Sequence, residues 1–169
     1  MIQGALEGER ARMGRVAGIL WTVSGLVALV CVFLPGSEHA ALGLVLGMGG
    51  LVLAYGVGSI TGLIPWQRAT LDQLALGTLA TIPVVGLAIY LSGGSISFVE
   101  PMLFCSLLYV AFYFPPRWAW PLTVELVLVA GAPLLYDGDA IENAFLPRYL
   151  ALSGTFLAAT WVMLGLKRR

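Results

Sequence analysis

Three ionisable side chains stand inside apolar stretches of this chain: Glu100, Glu125 and Arg148. Charge in such a run is costly, so these residues turn toward a protein interior or a cavity and pair where they can. Glu100 and Arg148 fall at similar depths from one side, and an ion pair between them would neutralise both and line a cavity there. The alternative is that each snorkels to the surface alone. Together with Ser92, Ser95 and Ser97 in the adjoining turn, and Tyr149 beside Arg148, they form the candidate ligand site. Glu125 suits either a proton or ion site or a protonated side chain bonded to a neighbouring helix; the structural role is preferred.

The other reactive residues offer less. His39 is the single histidine, which excludes a haem held by paired histidines. It serves either as a pH sensor or as a solvated loop residue. Cys31 and Cys105 either pair or act as small apolar fillers. Gly56-Val-Gly58-Ser-Ile-Thr-Gly62 has only the outline of a phosphate-binding loop, because no strand precedes it and the spacing is wrong. No HExxH, CxxC or nucleophile elbow occurs. No catalytic residue, metal site or cofactor is expected.

The elements that must position these residues follow from composition. The chain has 169 residues, 59% hydrophobic and 11% charged, where a soluble domain carries about 25% charged residues. Mean hydropathy is +0.92. A soluble domain, a disordered tail and a basic nucleic-acid binder are all excluded. A helix needs about 20 apolar residues to cross the hydrocarbon layer, and six such runs are read: Val16–Leu34, Ala41–Ile64, Leu71–Ser92, Phe98–Phe114, Ala119–Tyr136 and Phe145–Leu166. Turn chemistry separates them, including Pro35-Gly36-Ser37, Gly93-Gly94-Ser95, Pro115-Pro116-Arg117 and Asp137-Gly138-Asp139.

Basic residues in short loops stay cytoplasmic. One side holds Arg10, Arg12, Arg15, Arg68, Arg117, Lys167, Arg168 and Arg169; the other holds only Arg148. The outer side is acidic, with Glu38, Asp137, Asp139 and Glu142. The expected fold is therefore an all-α membrane protein with six transmembrane helices and both termini cytoplasmic. Residues 1–15 form a cytoplasmic N-terminal segment, 16–166 the transmembrane domain, and 167–169 the start of a cytoplasmic linker. The first run is too long for a cleaved signal peptide and lacks a small-x-small site.

Gly43, Gly47, Gly50 and Ala54 put small residues on one face of the second span, a helix-packing seam within or between subunits. Pro83 and Gly86 mark a kink or hinge in the third span, and Pro133 acts similarly near the end of the fifth. The likeness of Leu74–Thr81 to Leu150–Thr160 hints at an inverted repeat, although this alphabet of residues favours coincidence.

An ordered set of segments adds a resemblance. It comprises Arg12-Met-Gly-Arg-Val-Ala-Gly-Ile-Leu-Trp21, Ser24 to Leu29, Leu34-Pro-Gly36 and Gly77-Thr-Leu79. It continues with Tyr90-Leu-Ser-Gly-Gly94, Tyr109 to Phe114, and Arg148 to Thr155, then runs into Gly165-Leu-Lys-Arg-Arg169. The set resembles the N-terminal six-helix membrane sensory module that precedes GGDEF diguanylate cyclase domains in actinobacteria and related high-GC organisms. The loop after Gly94 departs from the family's proline-rich version.

The resemblance implies a sensory input module of the bacterial cytoplasmic membrane, acting as a homodimer that regulates a C-terminal cytoplasmic output through cyclic di-GMP. The GGDEF signature is absent from these residues. The chain stops at Arg169, where that linker would begin, so either the input part of a longer protein or a stand-alone relative is expected. The alternatives are a small transporter or channel using Glu125, and a non-catalytic membrane scaffold. No nucleic-acid partner is expected.

Overall fold

A computed structural model describes residues 2–35, 37, 40–142 and 144–167. The described residues are helical: α1 (Ile2–Cys31), α2 (Leu42–Thr61), α3 (Leu71–Leu91), α4 (Leu103–Tyr113), α5 (Pro116–Gly131), the single turn α6 (Pro133–Tyr136) and α7 (Phe145–Lys167). Short 3-10 turns occupy Trp66–Arg68, Gly94–Ile96 and Glu100–Met102. Five stretches are long and apolar enough to cross a bilayer: Gly8–Cys31, Leu42–Thr61, Leu71–Leu91, Pro116–Tyr136 and Phe145–Lys167. That is the pattern of a multi-pass membrane protein. Large apolar side chains such as Leu51, Leu135 and Trp161 stand exposed on its outside, as a lipid-facing surface requires.

Local chemistry sets the boundaries. Thr70 and Gln73 form a reciprocal capping box at the start of α3, satisfying two of its free N–H groups. Gly62 ends α2 in the left-handed conformation, and Pro116 opens α5, where its missing N–H costs nothing.

Two boundaries take a different form from the expected one. The expected segment 1–15 and the first span share one helix, since α1 runs back to Ile2 without a break, and its part apolar enough to cross a bilayer is Gly8–Cys31. The expected fourth span, Phe98–Phe114, contains a helix of 11 residues, too short to cross a bilayer by itself. The first part of that apolar run is spent on the turns at Phe98–Met102. Near the end of the fifth span the helix is interrupted before Pro133, whereas α3 runs unbroken through Pro83.

The helices pack as a hairpin against a four-helix group. In the hairpin, Gly18 and Gly25 of α1 meet Gly56 and Gly49 of α2 backbone to backbone. The expected seam is not that contact. Gly43, Gly47 and Gly50 have open space beside them, and Ala54 is exposed with them, so this stripe faces outward and, of the two expected roles, a contact between subunits is the one left to it. The four-helix group of α3, α4, α5 and α7 is built around Leu103, Leu107, Leu122, Leu126 and Phe156, all fully buried. A hydroxyl pair, Thr123 with Thr160 at 2.9 Å, ties α5 to α7 inside it.

End contacts give the direction of each helix. Asp72 at the start of α3 meets Arg117 (2.9 Å) and Trp118 (2.6 Å) at the start of α5. The Lys167 ammonium, at the end of α7, donates to the Phe114 carbonyl at the end of α4, 3.1 Å away. At the other end the Ala41 N–H bonds the Leu91 carbonyl at 2.8 Å. Arg15, Arg68, Arg117 and Lys167 thereby share one end, the basic end, and Arg148 lies at the opposite, acidic end with Asp137 and Asp139.

Candidate functional site

At the acidic end the chain leaves α3 through Ser92 and turns on two glycines, Gly93 (φ 117°) and Gly94 (φ 59°). A side chain at Gly94 would be strained by that φ and would also press on Asp137 Oδ2, 2.7 Å from where a Cβ would sit. The turn is cross-braced by its serines. Ser92 and Ser97 share a hydrogen bond at 2.5 Å, and the Ser97 hydroxyl accepts the Val99 N–H at 3.0 Å. These bonds satisfy a buried polar loop that would otherwise be costly.

This braced turn is held from two distant elements. The Asp137 carboxylate, beyond α6, accepts the Ser95 N–H at 2.8 Å. The Arg148 guanidinium, on the first turns of α7, donates to the Ser95 carbonyl and pairs with Glu100 Oε2 at 3.0 Å. A single residue is thus held through both its backbone N–H and its carbonyl. Arg148 also lies over the ring of the buried Phe145, 5.1 Å from its centroid, a further attraction for a cation. Phe145 in turn stacks on Tyr149, whose ring fills the space left by Gly131 on α5.

The expected site residues therefore come together. Ser92, Ser95, Ser97, Glu100 and Arg148 form one network, and Tyr149 supports it by packing rather than by a hydrogen bond to the cluster. Asp137 belongs to the network too. The sequence marked it only as an acidic turn residue, because its partner is 42 positions away. The network acts as a latch between the α3–α4 turn and α7. Glu100 is 8% exposed but Arg148 is 46% exposed, so an anion arriving from outside can compete for the guanidinium. Glu100 Oε1 is buried without a hydrogen-bond partner, which leaves one acceptor for a donor group.

Hydrogen bonds from the Ser95 side chain and backbone hold the Asp137 carboxyl below the ordinary carboxylate range. A depressed folded-state value means that the carboxylate stabilises the fold at neutral pH, and that this contribution vanishes as pH falls through the folded value. Asp137→Asn is accordingly expected to melt below the parent at pH 7, with the gap closing below about pH 4. A gap that persists unchanged in acid would show that the charge is not what holds Ser95.

The remaining candidates lie elsewhere. Glu125 is half-buried on α5 with Oε2 buried and without a hydrogen-bond partner. Gly86 lies against Val129 of α5. Cys31 and Cys105 are free thiols. His39 lies outside the described residues, as do Glu38, Arg168 and Arg169. Among the described residues no three His, Cys, Asp or Glu side chains converge as a metal site would need. No protein-family model matches this chain, and neither a curated protein nor a solved structure matches it.

Proposed function

We propose that this chain is an input module of a bacterial cytoplasmic membrane, passing a signal from its acidic end along α7 to a C-terminal cytoplasmic output. In this reading α4 and the turn before it complete a sixth crossing, the basic end faces the cytoplasm, and both termini lie there. The basic residues support that orientation, since Arg15, Arg68, Arg117 and Lys167 share one end and, among the described residues, Arg148 alone stands at the other.

The observation that carries the reading is the double attachment of α7. Arg148 ties its start to the Ser95–Glu100 turn, and Lys167 ties its end to the last turn of α4. A ligand that binds Arg148 or Glu100 only when the latch is open shifts the position of α7 by its differential affinity for the two states. The resemblance to modules that precede GGDEF domains makes a diguanylate cyclase the output, with the outward Gly43–Ala54 stripe as a face for a second copy. Glu125 belongs to neither the latch nor the cleft described below, so the observations that support the sensory reading do not extend to transport.

The test is a fusion of this chain to a GGDEF cyclase, comparing the parent with Arg148→Ala. Loss of 1–2 kcal/mol of latch shifts a two-state ratio by about 5–30-fold, so cyclic di-GMP output should change several-fold at equal membrane insertion. Unchanged output would sink the proposal.

A further inference from the structure

A long, narrow cleft separates the α1–α2 hairpin from the four-helix group. One wall carries Trp21, Tyr55 and Trp66, and the other carries Gly77, Thr81 and Tyr109. Its volume is about 100 Å³, where about 10–15 Å³ would hold a water, so it is more than a packing fault. On α1 the lining runs from Gly14 to Ala28, about 21 Å at the helical rise.

The occupant's chemistry follows from the walls and the ends. Most of the lining is apolar, whereas water in a cavity needs two to four polar partners, and the two threonine hydroxyls are committed to their own helix. Thr78 donates to the Leu74 carbonyl and Thr81 to the Thr78 carbonyl, both at 2.9 Å. Trp21, Tyr55 and Trp66 form an edge-to-face series with centroids 6.2 Å apart, which presents hydrocarbon. A leaflet's acyl layer is about 15 Å deep, so a single extended chain fits this length.

The ends differ. At the Trp66 end, Arg15 follows the lining residue Gly14, and Arg68 stands two positions after Trp66. Both are exposed and, among the described residues, neither appears in an ion pair. The Trp66 indole N–H is buried there without an acceptor.

We propose that the cleft binds one acyl chain of an anionic phospholipid, with its phosphate held at the basic end by Arg15 and Arg68. A basic pocket between membrane helices is a recognised setting for acidic headgroups. The headgroup end lies opposite the acidic-end latch, although the cleft reaches Val99 and Met102 beside it, and bound lipid rather than output reads it, so either proposal can fail alone.

The experiment is native mass spectrometry of the full chain, reconstituted with equal phosphatidylglycerol and phosphatidylcholine of identical chains and then extracted in detergent. The parent should retain one phospholipid, with phosphatidylglycerol favoured about tenfold or more. Arg15→Ala with Arg68→Ala should keep a lipid while that preference falls toward one. Gly77→Leu, which directs a side chain into open space, should lower occupancy about tenfold, and the outward Gly50→Leu should not.

A parent that binds no lipid, or binds both equally, overturns the proposal. So does a bound apolar molecule lacking phosphate, an arginine variant with undiminished preference, a Gly77→Leu chain that stays loaded, or a Gly50→Leu chain equally depleted. The parent and the arginine variant decide the matter even if Gly77→Leu fails to fold.

Discussion

Arg148→Ala should destabilise the folded chain by about 1–3 kcal/mol, and adding Glu100→Gln should restore most of that loss. Removing one partner of a fully buried pair costs about 3–5 kcal/mol, because the other charge is left uncompensated. Here only the carboxylate is buried, and the 46% exposure of Arg148 gives solvent a share in screening the pair, so the lower range applies. The Ser95 carbonyl loses its guanidinium donor in the same step. Glu100→Gln alone should cost less, since a neutral amide tolerates the site. Unfolding of all four chains in detergent closes the double-mutant cycle. Simple additivity would mean that the two side chains are neighbours without being partners.

The second large effect lies at the hairpin. A Cβ on Gly56 would sit 2.7 Å from the Thr22 backbone nitrogen and 2.8 Å from the Gly18 carbonyl oxygen. Backbone cannot rotate aside as a side chain can, so Gly56→Ala must push α1 and α2 apart. Overpacking of this kind costs about 1–3 kcal/mol, and here it opens a contact made almost wholly by close backbone approach. Gly50→Ala on the same helix meets nothing, and alanine's better helix propensity should leave it neutral or stabilising by up to about 1 kcal/mol. Thermal midpoints of the two variants separate the seams directly. Equal effects would place the hairpin contact on the wrong face of α2.

Both results bear on what the sequence could reveal. The five long helices were legible because each needs an unbroken apolar run of bilayer length, and little else produces one. The Glu100–Arg148 pair was legible for a related reason: two opposite charges in apolar runs on the same side have few other partners. The α4 boundary was hidden, because the turns at Phe98–Met102 bury Val99, half-bury Phe98 and Met102, and so continue the apolar run. The hairpin seam was ambiguous. α2 carries two small-residue series, and only the sevenfold spacing shared by Gly18–Gly25 and Gly49–Gly56 picks out the one that faces α1. Asp137 was out of reach, since nothing local links a turn carboxylate to a peptide 42 residues earlier.

The shortness of α4 also carries a mechanical consequence. Its 11 residues and the 3-10 turn before them rise about 23 Å, against a hydrocarbon layer of about 30 Å. In the proposed six-crossing arrangement, where Leu108 and Phe112 of α4 reach the outside of the bundle, the bilayer must thin or the neighbouring helices must tilt. A thicker or stiffer membrane therefore pulls on the helix to which α7 is fastened near both ends. In that proposed arrangement hydrophobic mismatch becomes a load, and α7 is the lever that bears it.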